Sequence, residues 1–327
     1  MLIEGNNGSG KTSLLEAIHY LCYVRSFRTH IPHDLVHFGN DTFFVTATIE
    51  NDQVTIGSTG TKRQVKINQK AITSHKELRS VCRVVTVTQE DSDIVTGSPE
   101  KRRAFLDHAL ILYNDQLTHT LKTFRHILES RNAFLFHGGS NDEFDIWTHK
   151  LWETSILIQE ARTAFLKVLV EQGLQLKNYF LTTHTFSITY QSKHLLLKQS
   201  YEDFFSNSTR LFERERHFKR SLFGAHLDDI EIIFNGKPAR LFSSRGQQKL
   251  LTLFLKISQV ASLTATTGPV IFLLDDFLSD FDTTTLERIL KTCLTLNAQL
   301  IVTTPLNAGP EQEALRLLQC TSLKISL

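Results

Sequence analysis

Eight consecutive residues, Gly5-Asn6-Asn7-Gly8-Ser9-Gly10-Lys11-Thr12, fill the pattern G-x-x-x-x-G-K-[ST] completely. A glycine-rich turn of this kind exposes successive backbone N–H groups, and the helix N-terminus behind it adds a positive dipole end. Together they cradle the phosphates of a nucleotide. The spacing assigns Lys11 to the β- and γ-phosphates and the Thr12 hydroxyl to Mg²⁺. Far along the chain the apolar run Val270-Ile271-Phe272-Leu273-Leu274 ends in Asp275-Asp276. A buried strand ending in two carboxylates suits the same site: Asp275 to hold Mg²⁺ through its water shell, Asp276 to orient and polarise an attacking water. The two motifs together describe a site for a nucleoside triphosphate and Mg²⁺.

Such a turn needs a strand before it and a helix after it. Leu2-Ile3 supplies the apolar approach, and Leu14, Leu15, Ile18, Leu21 and Cys22 share one helical face. A doubly wound sheet places other strands before its P-loop strand. With the motif at residue 5 we expect those strands to be lacking and the P-loop strand to be left with an exposed apolar edge. Short β-branched or aromatic stretches over 43–49, 53–57 and 63–67 read as an antiparallel meander, and Val84–Val87 as a buried strand. Ser98-Pro99 opens a helix with serine capping and proline at its first position. From about Asn114 to Leu181 helical periodicity replaces strand signals, broken only at Gly138-Gly139-Ser140-Asn141. Ser200-Tyr201-Glu202-Asp203 offers a capping box. Residues 230–234 and 239–242, joined through Asn235-Gly236, read as a hairpin with a type I′ turn. A helix from Gly246 leads to the strand 270–274, followed by a helix through Leu286, Ile289, Leu290 and Cys293 and a strand over 300–303. We therefore expect an α/β P-loop NTPase. Residues 1–113 and 223–327 form the two parts of an ATPase head with a mixed sheet, and 114–222 an inserted all-α subdomain.

Composition narrows the setting. Of 327 residues 41% are hydrophobic and 21% charged, the balance of a soluble globular protein. With 36 basic and 34 acidic residues the net charge is +2, so contact with nucleic acid has to use a local patch. Cys22, Cys82, Cys293 and Cys320 are scattered without a C-x-x-C pair, which points to thiols in a reducing cytoplasm and away from a zinc ribbon. His30, His33 and His37 have helical spacing, but Pro32 interrupts them and no carboxylate or thiol completes a ligand set. No signal peptide and no membrane-length apolar run is present.

Spacing selects the class of NTPase. Nearly the whole chain separates Lys11 from Asp275, and a helical block lies between them. Small GTPases and kinases keep the two motifs close, whereas ABC-type ATPases of the chromosome-maintenance kind part them with a helical arm. Those ATPases carry a signature motif upstream of the second strand, and Ser243-Ser244-Arg245-Gly246-Gln247-Gln248 stands there. Its serine hydroxyl, glycine backbone and helix N-terminus make a second phosphate cradle, facing outward to serve a nucleotide held by another subunit. Ser279-Asp280-Phe281-Asp282 occupies the place of a dimer-spanning turn, and Thr304 that of a switch histidine.

At these residues the chain resembles the RecF family of recombination-mediator ATPases. The resemblance runs through 5–18, Arg25-Ser26-Phe27-Arg28-Thr29, Gly97-Ser98-Pro99, Arg102-Arg103-Ala104-Phe105-Leu106-Asp107, Ser244-Arg245-Gly246-Gln247-Gln248 and Leu274-Asp275-Asp276-Phe277-Leu278-Ser279. It implies an ATP-dependent DNA-binding protein, with at most weak DNA-stimulated ATPase activity, that dimerises on ATP. Members act with RecO- and RecR-like mediators to place RecA on gapped DNA during repair, replication recovery and the damage response. Three departures stand out. The family's earlier strands and their adenine-contacting loop are expected to be lacking, and Gly224-Ala225-His226-Leu227-Asp228-Asp229 lacks the family's proline and basic residue. Gln89 replaces a common proline, yet a glutamine there suits the Mg²⁺ and water of an ABC Q-loop. Arg25, Arg28, Lys62, Arg63, Lys66, Lys70 and Lys101-Arg102-Arg103 are the cations available for DNA phosphates, or else a solvated charged face. The alternatives are a truncated or degenerate paralogue and another chromosome-maintenance-type ATPase head, although the insert lacks sustained heptads for the latter.

Overall fold

A computed structural model of the chain describes residues 1–59, 62–81, 83–180, 184–194, 196, 199–267, 270–305 and 322–324. Cys82, Cys320 and Leu181 lie outside them. The chain opens with β1 (Leu2–Gly5), α1 (Lys11–Tyr23), β2 (Thr42–Ile49), β3 (Asp52–Thr59), β4 (Lys62–Ile67), β5 (Lys70–Ile72), α2 (His75–Val81) and β6 (Val84–Val87). Then come α3 (Asp93–Thr96), α4 (Pro99–Tyr113), α5 (Leu117–His137), α6 (Asn141–Phe180), β7 (Phe186–Gln191), α7 (Tyr201–Ser206) and α8 (Thr209–Phe218). The remainder is β8 (Asp229–Phe234), β9 (Lys237–Pro238), α9 (Ala239–Phe242), α10 (Arg245–Thr266), β10 (Val270–Leu274), α11 (Thr283–Thr295), β11 (Ala298–Pro305) and β12 (Ser322–Lys324). Among the described residues no helix is long and apolar enough to cross a membrane.

The chain divides into two compact units, Met1–Asp91 with Leu176–Thr182 and Leu253–Leu327, and Ser92–Gln175 with Thr183–Thr252. In the first, a parallel sheet runs in the order β12-β1-β11-β10-β6. Its central strands are continuous apolar runs because both faces are covered. Ile3, Leu15, Cys22, Val84, Leu273 and Ile301 form one buried cluster across it. The expected bare edge on β1 is not found: β1 lies between β11 and β12, so its backbone groups are paired on both sides. Cys22 is disulfide-bonded, whereas the scattered cysteines suggested thiols. The antiparallel meander β2-β3-β4-β5 packs Val54 and Ile56 against Tyr20 and Leu21 of α1 and Val24 just after it.

The second unit is built on α5, α6 and α8. Phe124, Ile127, Phe144, Leu151, Phe212 and Phe223 form its core. Arg131 lies inside that core, paired to both oxygens of Glu215 at 3.0 and 2.7 Å, with neither side chain exposed. Thr148 and Ser221 take its remaining donors, and the Phe144 and Phe223 rings lie beside the guanidinium, so this buried charge is fully satisfied, as it must be. The capping box at Ser200 is formed: its hydroxyl accepts from the Asp203 backbone N–H. Ser98 stands at the N-cap of α4 without the expected side-chain bond.

The hairpin after β8 is shorter than expected. Its return strand is Lys237–Pro238 alone, and 239–242 is a helical turn with Ala239 buried. Proline has no N–H to extend the ladder. The α4 helix belongs to this second unit, earlier in the chain than the composition change near residue 114 suggested. Arg102 on α4 grips both oxygens of Asp229 at 2.7 and 2.9 Å, and Arg103 donates to the Asp228 carbonyl, tying α4 to β8.

Candidate nucleotide site

In a parallel sheet all strands end on the same edge, and open α/β sheets bind ligands beyond those carboxyl ends. The register sets Gly5 beside Pro305 and Leu274 beside both Val302 and Val87. The residues that follow β1, β10 and β6 therefore gather on one edge: the Gly5–Thr12 turn, Asp275-Asp276 and Gln89.

The turn takes its shape from two glycines. Gly8 and Gly10 have φ of +83° and +87°, and a Cβ at either position would meet no atom within 4 Å. Left-handed backbone, rather than lack of room, requires glycine there. Lys11 is buried, and its Nζ donates to the carbonyls of Gly5 and Asn6 at 2.9 and 3.1 Å, curling back over the loop. The Ser9 hydroxyl is buried without a hydrogen-bond partner among the described residues. A buried hydroxyl left unpaired costs free energy, and a phosphate oxygen in the loop would satisfy it. Asn6, Asn7 and Gly8 are exposed beside it.

The carboxylate pair is held by hydroxyls. Thr12 Oγ1 donates to Asp275 Oδ1 at 3.1 Å, and Thr303 Oγ1 donates to the same oxygen at 3.0 Å. Burial pushes the Asp275 carboxyl above the usual carboxylate range, and the charge of Asp276 adds to this; the Thr303 and Thr12 hydroxyls and the more distant Arg28 oppose it. A carboxylate that burial makes costly to ionise suits pairing with a cation. Asp276 has φ of +45°, a conformation uncommon outside glycine, asparagine and aspartate. Its N–H donates to Thr303 Oγ1 at 2.9 Å and its carbonyl accepts from Gln89 Nε2 at 2.7 Å. Gln89 thus reaches the carboxylate turn.

Thr304, the candidate switch position, lies inside β11, fully buried and paired in register with Glu4. The preceding Thr303 carries the hydroxyl that bridges the two aspartates. Two further residues were missed. Lys256 on α10 is buried, with its Nζ 2.6 Å from Asp91 Oδ1 and 2.9 Å from the Thr86 carbonyl. Asp91 Oδ2 accepts from the Thr88 N–H at 2.8 Å, so this pair shapes the turn that carries Gln89. No local pattern announces a pairing over such a sequence distance. Asp91→Ala removes the carboxylate that pairs with the buried Lys256 ammonium and accepts from the Thr88 N–H, and we expect a loss of about 3 kcal/mol in urea unfolding. An unchanged midpoint would show that the ion pair does not hold the turn.

Ser244, Gly246 and Gln247 lie in the second unit, at the start of α10. Ser244 and Gln247 form a reciprocal capping box: the Ser244 N–H donates to Gln247 Oε1 at 2.9 Å, and the Gln247 N–H to Ser244 Oγ at 3.3 Å. Ser244 and Gly246 are exposed, as are Leu241 and Phe242 before them. Asp282 caps α11 through the Thr285 N–H and hydroxyl at 2.9 and 2.7 Å, and those bonds hold its carboxyl below the usual range. Among the candidate DNA-contacting cations, Arg102 and Arg103 are engaged with Asp229 and Asp228. Arg28 lies 3.7 Å from Glu16 of α1 and acts on the field at Asp275.

The family model described as the RecF/RecN/SMC N terminal domain matches residues 1–322. The DNA replication and repair protein RecF of Cyanothece sp. is 31% identical over 329 residues, 95% of this chain and 87% of that protein. RecF of Geotalea daltonii is 31% identical over 316 residues, 93% and 86% of the two chains. The solved structure of the recombination mediator protein RecF with ATP, from the RecFOR pathway, superposes with a TM-score of 0.80 at 26% identity, over 95% of this chain and 88% of that one. An Smc head bound to the C-terminal winged-helix domain of ScpA gives 0.50 at 12% identity, over 96% and 83% of the chains, a likeness of fold alone.

Proposed function

The chain belongs to the RecF family, and from that premise we propose that it is an ATP-dependent DNA-binding protein of DNA replication and recombinational repair. The observation that supports this best is the convergence of Lys11, Thr12, Asp275 and Thr303 on one sheet edge around the unpartnered Ser9 hydroxyl. In this reading Gly5 to Thr12 wrap the phosphates and Lys11 turns from the loop carbonyls to phosphate oxygens. Thr12 and Asp275 would hold Mg²⁺, which would supply neutralisation of phosphate charge when bound. Asp276 accepts a proton from the attacking water, and Gln89 holds the turn that aims it.

We further propose that ATP brings two copies together. The exposed Ser244 and Gly246 and the half-buried Gln247 would meet the nucleotide of the second copy through a helix N-terminus. The exposed Leu241 and Phe242 supply apolar surface beside that contact. RecO- and RecR-like mediators, with which it would place RecA on gapped DNA in the cytoplasm, complete the proposal. Light scattering with and without ATP tests it. Ser244→Arg is expected to bind ATP like the parent yet remain monomeric. A variant that dimerises as the parent does would remove the trans role of this turn.

A further inference from the structure

The meander buries one face and leaves the other open. Phe43, Val45, Ala47 and Ile49 of β2 face Val54, Ile56, Val65 and Ile67 in the core. Alternation therefore sends Thr42, Phe44, Thr46 and Thr48 to the opposite face. The register carries that face across Gln53, Thr55, Gly57 and Thr59 of β3 to Lys62, Gln64 and Lys66 of β4. Arg63 is on the buried side, donating to the Val24 carbonyl at 3.0 Å.

Two residues on the open face are poor choices for stability alone. Phe44 is 79% exposed, a large ring left in water. Directly opposite it stands Gly57, a residue that weakens a strand interior and often marks close approach of a ligand. Neither backbone nor crowding demands that glycine: it has ordinary strand geometry, and a Cβ would meet nothing within 4 Å. What a side chain there would remove is the flat floor between Phe44 and Gln64. Across β2–β4 the face carries Lys62 and Lys66 and no carboxylate, while Asp52 lies off it, bonded to Asn68. The two lysines are four residues apart on one strand, about 13 Å, with a row of threonine hydroxyls between them and Phe44.

We propose that this face binds single-stranded nucleic acid: a base stacks on Phe44 over the Gly57 floor, and Lys62 and Lys66 meet the flanking phosphates. Every base offers a π-face, so stacking on an aromatic ring is sequence-tolerant. In a duplex those faces are covered by neighbouring base pairs, so Phe44 selects unpaired strand while the lysines attract either form. The inference rests on the DNA-binding reading above and specifies the strand state that this face takes.

Fluorescence anisotropy with a labelled oligo-dT and with a duplex of equal length, across a salt series, tests it on the full chain. Phe44→Ala is expected to weaken oligo-dT binding about 5- to 100-fold while duplex affinity and the oligo-dT salt slope hold. Gly57→Val, which keeps strand propensity and fills the floor, is expected to act in the same direction. Lys62→Gln with Lys66→Gln is expected to lower the oligo-dT slope by about 1.4. Circular dichroism melting of each variant serves as the control for folding. Equal losses on both DNAs, or none on oligo-dT, overturn the platform. So does a change in oligomeric state on Phe44→Ala with oligo-dT binding unchanged, which would make the face a protein contact. If the parent binds neither DNA, the wider DNA-binding reading falls as well.

Discussion

Lys11→Ala is expected to lower ATP affinity at least tenfold while leaving the fold intact. Among the described residues the ammonium donates to the Gly5 and Asn6 carbonyls, two neutral acceptors in its own loop. A nucleotide replaces them with charged phosphate oxygens, and charge-assisted contacts of that kind contribute about 1.5–3 kcal/mol each. The alanine variant loses those contacts, and the two carbonyls lose donors that bound phosphate would have displaced anyway. Left-handed Gly8 and Gly10, which shape the loop, are untouched. A fluorescence titration with an ATP analogue reads the effect. Affinity equal to the parent would remove the assignment of this turn to phosphate.

Asp276→Asn is expected to cut ATP turnover by roughly 10²-fold or more, the usual effect of losing a positioned general base. ATP binding is expected to hold, because the variant keeps the backbone contacts to Thr303 and Gln89. Asparagine also tolerates the left-handed backbone at this position. With hydrolysis blocked, the ATP-dependent dimer is expected to persist where that of the parent decays. Phosphate release measured beside light scattering separates these effects. Parental turnover in Asp276→Asn would move the base elsewhere.

The two predictions differ in how far ahead they could be seen. The phosphate turn is a contiguous pattern whose function depends on local backbone, so Gly5 to Thr12 were legible at once. Asp275 and Asp276 follow an apolar run whose end marks a sheet edge. The strand at 84–87 and the two long helices were equally plain, since their periodicity is strong. The β7 strand was overlooked, although Phe186-Ser187-Ile188-Thr189-Tyr190-Gln191 alternates as a half-buried strand does. Arg102 was read as a solvated cation because its partner, Asp229, lies far along the chain.

From the sequence alone, then, come the glycine-rich turn, the carboxylate pair at a strand end, the long helices and the central strands of the sheet, and the family. All of these depend on neighbours in the chain. Tertiary structure decided which groups meet. It placed the Thr303 hydroxyl on the aspartates, seated β1 between two strands, put Lys256 under the Gln89 turn, and turned Arg63 away from Lys62 and Lys66. The physical reason is common to all four. A strand alternates its faces residue by residue, so a boundary uncertain by one position leaves each side chain's direction open. An ion pair or a ladder neighbour is chosen by packing in three dimensions, and that choice leaves no periodic mark along the chain.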